Sequence, residues 1–290
     1  MKFLRETIED AVNNHKAIGH FNVSNIESIN AVCRGAQKKN APIILGVSEG
    51  ERAFLEFDLL MYMVQKAKDI YQIPIYVNAD HTHSLEGAYK AVESGCDAVV
   101  FDGAATPWEE NIENTKEVRS YIDTYNKKQG KDVLLEAEVG YIGSGSVIFD
   151  TLPEDVSLDT SSLTTPQQAN IFTKETGIDL FAPAVGNIHG MYTTKGNPEL
   201  DIDRIKQIAT HTDAWLVLHG GSGISNENMK DAIAAGIAIV HVSTELRVAW
   251  KEGIEEALKQ GEIAPYKVAM QAQKNMEKVV EKKLALYGWN

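Results

Sequence analysis

Residues 74–104, PIYVNADHTHSLEGAYKAVESGCDAVVFDGA, decide the fold. An apolar run over 74–79 is followed by helical spacing over 84–94 and a second apolar run over 97–102. Runs that are apolar almost throughout suit strands buried on both faces, as in a parallel sheet. The same unit recurs on both sides. Strands are also predicted over 17–22, 42–47, 133–138, 179–185, 214–219 and 237–242, and helices near 25–38, 54–70, 108–128, 166–175, 201–210, 226–234 and 245–259. About eight strand–helix units in one uninterrupted alternation predict an α/β fold of the TIM (β/α)8 barrel type rather than a doubly wound sheet. A leading helix near 5–14 is expected to close the barrel bottom. A charged C-terminal helix near 265–286 is expected to pack outside it or against a neighbouring subunit. No linker divides residues 1–290, so one domain is expected.

Hydrophobic residues make up 43% of the chain and charged residues 24%, a balance that supports a sizeable buried core. The 28 basic residues face 41 acidic ones, a formal charge of −13. That disfavours nonspecific binding to nucleic acid or anionic membrane, while leaving room for a local phosphate pocket. Only Cys33 and Cys96 occur, so no disulfide framework is implied and a reducing compartment is expected. The N-terminus, MKFLRETIEDAVNNHK, lacks the apolar segment of a signal peptide. No apolar run approaches the ~20 residues of a membrane span. A cytoplasmic protein is the expectation.

Two connections are long. Residues 140–164 are rich in Gly, Ser, Thr and Asp, and 187–200 carry Gly, Asn and Pro. Both follow predicted strands, so in a barrel they belong to the C-terminal face, where active sites lie. Loops of this length serve as lids or are mobile excursions, and a lid is expected.

Three histidines stand where predicted strands run into loops: His81 in YVNADHTH, His189 in AVGNIHGMY and His219 in WLVLHGGSG. One such histidine alone reads as structural. Three on separate strands, all at the same barrel face, point to a catalytic zinc with an open coordination position. His83 is either a further ligand or a polar loop residue. His15, His20 and His211 read as structural, and His241, ending the last strand, is ambiguous. Asp80 adjoins His81: it either caps the following helix or exchanges a proton with a metal-bound substrate, and the neighbouring histidines favour the second role. The glycine-rich turn HGGSG at 219–223 and the helix start HVSTELR at 241–247 occupy the slots after strands seven and eight, the usual phosphate site of a barrel.

These segments, with GHFNV at 19–23, VSEG at 47–50, ADH at 79–81, FDGA at 101–104, LEAEVG at 135–140 and GNIHG at 186–190, resemble the zinc-dependent class II ketose-bisphosphate aldolases in order along nearly the whole chain. The resemblance implies a barrel that is a homodimer or homotetramer, a sugar-phosphate substrate, and Zn2+ with room for a monovalent cation. His81, His189 and His219 match the zinc ligands and Asp80 the proton donor. Gly190, Gly220, Gly221, Ser222, Ser243 and Thr244 match the cradle for dihydroxyacetone phosphate. Asn22 and Ser48 match substrate contacts, and Asp102 and Glu138 match acidic residues around the metal, which stand as alternate ligands. The implied reaction is reversible cleavage of the C3–C4 bond of a ketose phosphate.

Four departures are visible. The flexible-loop glutamate that exchanges the proton at the nucleophilic carbon is replaced by Ser146. The asparagine before the phosphate-binding threonine is His241, the HxDH motif reads NADH with Asn78 first, and Tyr266 and Gln273 replace two arginines of the C-terminal helix. The metal and phosphate residues are intact, whereas the proton relay and the far half of the substrate differ. His241 either supplies the missing base or merely hydrogen-bonds. A ketose 1-phosphate becomes a candidate beside a fructose 1,6-bisphosphate-like substrate. A relative that binds sugar phosphate and metal without turnover is the alternative.

Overall fold

The computed structural model describes residues 2–143, 145–150, 161–192 and 196–290. In chain order its first half comprises α1 (Leu4–Asn13), β1 (Ile18–Asn22), α2 (Ile26–Lys38), β2 (Ile43–Val47), α3 (Glu49–Leu55), α4 (Phe57–Tyr71), β3 (Ile75–Thr82), α5 (Leu85–Glu93), β4 (Ala98–Phe101) and α6 (Trp108–Gln129). The second half comprises β5 (Leu134–Val139), β6 (Ile148–Phe149), α7 (Pro166–Thr176), β7 (Leu180–Pro183), β8 (Met191–Tyr192), α8 (Ile202–Ala209), β9 (Trp215–Leu218), α9 (Asn226–Ala234), β10 (Ile237–Val242), α10 (Thr244–Lys259) and α11 (Pro265–Leu286). Eight strands close a parallel barrel in the order β1-β10-β9-β7-β5-β4-β3-β2, the (β/α)8 fold that the strand–helix alternation predicts.

Period-two alternation along each strand sorts its side chains between two cores. Outward residues such as Val77, Ala79, Leu135 and Ala137 pack under the helices. Inward residues stack in layers up the barrel axis. The lowest layer is apolar: Ile18, Ile44, Tyr76, Leu134 and Leu180 meet Leu4, Ile8 and Ala11 of α1, which plugs the bottom. One step higher on the same face come His20, Asn78 and Glu136, and another step brings Asn22, Asp80 and Glu138. The barrel is thus dry below and polar above, and the change occurs within single strands.

Three details differ from the sequence expectation. The helix expected over 54–70 is two helices, α3 and α4, broken at Glu56, whose φ is 57°. Strand β3 runs on to Thr82 and carries His81 at φ 40°, so Asp80 and His81 sit on strand rather than in the loop. The two long connections are not irregular throughout: β6 and β8, one from each, pair in parallel outside the barrel. The lid expected over these connections falls partly on residues 144, 151–160 and 193–195, which lie outside the described residues.

α11 lies along α10 and α2, with Ala272, Met276, Val280 and Leu284 buried in the contact. Gly253 of α10 allows the closest approach, since a Cβ there would press on the backbone of Gln271 and Ala272. Gly253→Ala is therefore expected to lower stability by about 1–3 kcal/mol, because helix backbone has no rotamer by which to yield. A thermal melt checks this, and an unchanged midpoint would show that the two helices separate freely.

Candidate active site

The polar middle layer is organised by Glu136. Its carboxylate is fully buried, accepts from Asn78 Nδ2 at 3.2 Å, and is bonded to His219 Nε2 at 2.7 Å. His241, from β10, lies flat between His20, at 3.4 Å between ring centroids, and His219, at 4.2 Å. Its Nδ1 stands 3.5 Å from Asp80 Oδ1 and its Nε2 3.6 Å from Glu136 Oε1, neither aligned as a hydrogen bond. Burial and the neighbouring His219 hold its pKa below the ordinary imidazole value, so it is neutral. Burial and His241 hold His20 well below that value too.

Above this layer His81, His189 and His219 converge, each placing one ring nitrogen within 4.8 Å of the others. Each also commits its second nitrogen to the protein. His81 Nδ1 lies 2.8 Å from Asp102 Oδ2, His189 Nδ1 lies 2.8 Å from the Gly143 carbonyl, and His219 Nε2 is held by Glu136. Such outer partners orient the rings of metal-ligating histidines. His219 Nδ1 is buried without a hydrogen bond, although Glu138 Oε2 is 3.1 Å away. A buried imidazole nitrogen left in this way, beside two others, fits a divalent metal with a three-nitrogen donor set. Glu138 and Asp102 form a second possible grouping with His81.

The protein groups set the protonation. Burial disfavours the His81 cation, but Asp80, Asp102 and Glu138 outweigh it and push its pKa up to about 9. Burial and the His81 and His219 rings outweigh Asp80 at His189 and push its pKa down to about 3. Burial alone would raise Asp80. His81, His241 and His20 outweigh that and hold it well below the usual carboxylate range. Asp80 is therefore a carboxylate, able to accept a proton. It does not cap the next helix, because Ser84 does so by accepting from Gly87 N.

A cavity of about 380 Å3 opens over these groups. Among its walls are Asn22, Ser48, Asp80, His81, Asp102 and Glu138. On the other side stand Ser146, His189, Gly190, Gly220, Ser222, His241, Ser243 and Thr244. His219 lies just behind this surface. Gly221 turns its N–H to the His241 carbonyl at 2.9 Å, so that amide is not available to an anion. Ser243 sits at the N-cap of α10 with a buried hydroxyl that makes no cap bond and has no hydrogen-bond partner among the described residues. Gly220, at φ 63°, lies so close to the Ile188 carbonyl that any side chain would collide with it. A free hydroxyl, a helix N-terminus and a side-chain-free turn on one wall suit an anionic group. His83 is mostly exposed and reaches only to 3.6 Å from Asp102.

The fold and this constellation define a (β/α)8 enzyme with a histidine cluster at the C-terminal face. A sequence model of the family described as fructose-bisphosphate aldolase class-II matches residues 2–290. A fructose-bisphosphate aldolase of Staphylococcus aureus is 34% identical over 258 residues, covering 88% of this chain and 85% of its own. One from Geobacillus stearothermophilus is 32% identical over the same shares. The crystal structure of the YdjI aldolase from Escherichia coli K12 superposes with a TM-score of 0.82 at 30% identity, covering 99% of this chain and 97% of that one. The chain belongs to the class II fructose-bisphosphate aldolase family and is an aldolase, a carbon–carbon lyase. The family is generally metal-dependent and acts on sugar phosphates.

Sequence reasoning passed over Glu136 and Glu51, and it read His20 as structural, which agrees with its full burial under His241. Glu136 carried a usable signal, since it lies two residues before Glu138 and must share its face. His20 could be placed only through its stacking on a strand that is distant in sequence.

Part of the acid response of the metal-stripped protein follows from His189, with His20 and His241 shifted in the same direction. His189 titrates at about 3 in the folded chain against an ordinary 6.5. Between those values the unfolded chain binds the extra proton, so stability falls as pH drops from 6.5 towards 3. Denaturant midpoints between about pH 7 and pH 4 check this. An equally steep slope in a His189→Gln variant would place the effect elsewhere.

Proposed function

We propose that this enzyme is a zinc-dependent aldolase that cleaves and forms the C3–C4 bond of a ketose phosphate. The halves would be dihydroxyacetone phosphate and an aldehyde, from a fructose 1,6-bisphosphate-like substrate or a ketose 1-phosphate. The observation that carries this reading is the ring-nitrogen arrangement: three imidazoles, each tied by one nitrogen, turn the other to a common point beside Asp80. Zinc suits three nitrogen donors with an open position and supplies a Lewis acid for negative charge on the substrate oxygens. Asp102, Glu138 and a monovalent cation could share the neighbourhood.

The chain's own groups divide the remaining work. The Ser243 hydroxyl, the α10 N-terminus at Thr244, and the Gly190, Gly220 and Ser222 turns hold the triose phosphate. Asp80 Oδ1, which has no hydrogen-bond partner among the described residues, takes the C4 hydroxyl proton as the C3–C4 bond breaks and returns it in synthesis. His241 is neutral, lines the cavity and has both ring nitrogens without hydrogen bonds, which supports it as the proton carrier at C3 in place of the loop glutamate. Asn22 and Ser48 face the aldehyde half.

A single-domain chain that assembles as a homodimer or homotetramer is part of this reading. Ile263, just before α11, and Tyr266, in its first turn, 88% and 70% exposed, supply apolar surface for such a contact. The free buried thiols of Cys33 and Cys96 agree with a cytoplasmic location. Among the described residues no helix is long and apolar enough to cross a membrane.

The test is retro-aldol cleavage over a panel of ketose 1-phosphates and 1,6-bisphosphates, with triose phosphate release followed by coupled reduction. Chelation is expected to abolish cleavage and zinc to restore it. His241→Asn and Ser146→Glu, singly and together, are expected to change the rate by 10-fold or more, on the order of a general acid–base contribution. Cleavage that survives chelation would sink the metal assignment, and unchanged rates in all three variants would sink the relay. Zinc and sugar-phosphate binding without cleavage of any panel member would leave a binding protein or a substrate outside the panel.

A further inference from the structure

Glu51 stands in the first turn of α3, 8% exposed, behind one wall of the cavity. Its Oε2 accepts from Asn22 Nδ2 at 3.2 Å and from both Ser48 N and Ser48 Oγ at 2.9 Å. Its Oε1 accepts from Arg247 Nη2 at 3.1 Å. Asn22, Ser48 and Arg247 all line the cavity, whereas Glu51 does not. One carboxylate therefore joins wall residues carried by β1, by the β2–α3 junction and by α10.

A glutamate at this helix position commonly bonds back to its N-cap residue, which accounts for the contacts with Ser48. It does not account for partners 29 and 196 residues away in sequence. The Asn22 amide has two N–H groups, and the second goes to Asp80 Oδ2 at 2.9 Å. Both donors are thus committed to carboxylates, Glu51 on one side and Asp80 on the other. Rotation of the amide would break both bonds. With Oδ2 held, Asp80 keeps Oδ1, which has no hydrogen bond among the described residues, beside His241 Nδ1 at 3.5 Å and His81 Nε2 at 3.8 Å.

We infer that Glu51 is a positioning residue: through Asn22 it sets the orientation of Asp80, and through Ser48 and Arg247 it fixes the wall that meets the aldehyde half. This rests on the proton-transfer role proposed for Asp80. Glu51 never touches substrate. It acts by keeping the reacting oxygen in place, and small displacements of such a group have large effects on rate.

The experiment is steady-state retro-aldol kinetics of the zinc-loaded enzyme for Glu51→Ala, Glu51→Gln, Asn22→Ala and the Glu51→Ala/Asn22→Ala double variant. Zinc content and inhibition by dihydroxyacetone phosphate are measured on the same samples. Glu51→Ala and Asn22→Ala are each expected to lose about 10–100-fold in kcat, with zinc content and triose-phosphate inhibition unchanged. The double variant is expected to be no worse than the poorer single one, since both remove the same link. Glu51→Gln keeps the side-chain volume but offers Arg247 or Asn22 a donor in place of an acceptor, so it is expected to show a similar kcat loss even if Glu51→Ala does not fold. Losses that multiply in the double variant, or wild-type kcat in either Glu51 variant, overturn the inference. Asp80→Asn separates the two levels. If it cleaves at the wild-type rate, the role of Asp80 itself fails. If it is inactive while the Glu51 variants cleave normally, only the role of Glu51 fails.

Discussion

A carboxylate buried at the centre of a barrel must be compensated, and the upper half of this molecule is arranged around the compensation of Glu136. Burial would raise its pKa. His241 and the bonded His219 outweigh that and keep it below its ordinary value. His219 is thereby fixed with its other nitrogen directed at the partner histidines, and His241 is held between two rings and two carboxylates. The histidine cluster and the groups around Asp80 share one support.

That support explains two of the departures from the family pattern. Asn78, at the first position of the HxDH pattern that the resemblance implies, donates to Glu136 through its amide. His241, at the position where that resemblance implies asparagine, stacks on His20, and a Cβ on Gly46 would strike the His20 ring. Gly46, His20 and His241 form one packed unit across β2, β1 and β10, so the asparagine-to-histidine change is accommodated by its neighbours.

The cavity is electrically two-sided. The wall expected to meet phosphate offers backbone, hydroxyls and the start of a 16-residue helix. The opposite wall is rich in carboxylates, with Asp80, Asp102 and Glu138 at the surface and Glu51 behind it. Beneath the Gly220–Gly223 turn, buried Lys283 of α11 pairs with Glu245, which also accepts from Gly223 N, so the C-terminal helix braces the turn from below. The local arrangement overrides the net charge of −13 because buried or confined groups are screened far less than surface ones.

Strand–helix alternation, the positions of His81, His189 and His219, the proximity of Asp80 to this cluster and the two glycine- or serine-bearing turns were legible in the sequence. Each depends on local periodicity or on a strand end, and the (β/α)8 topology carries all such ends to one face. The sequence did not show the break at Glu56, the pairing of β6 with β8, or the links from Glu51 to Asn22 and Arg247. Those arise from contacts between segments far apart in the chain, and pattern along a strand does not specify which neighbour a side chain meets across the barrel. By itself, then, the sequence determined the barrel and the chemistry at its mouth. Only the tertiary structure decided which nitrogen of each histidine is tied to a neighbouring group and which oxygen of Asp80 is bonded to Asn22, because both are set by hydrogen bonds across the closed barrel.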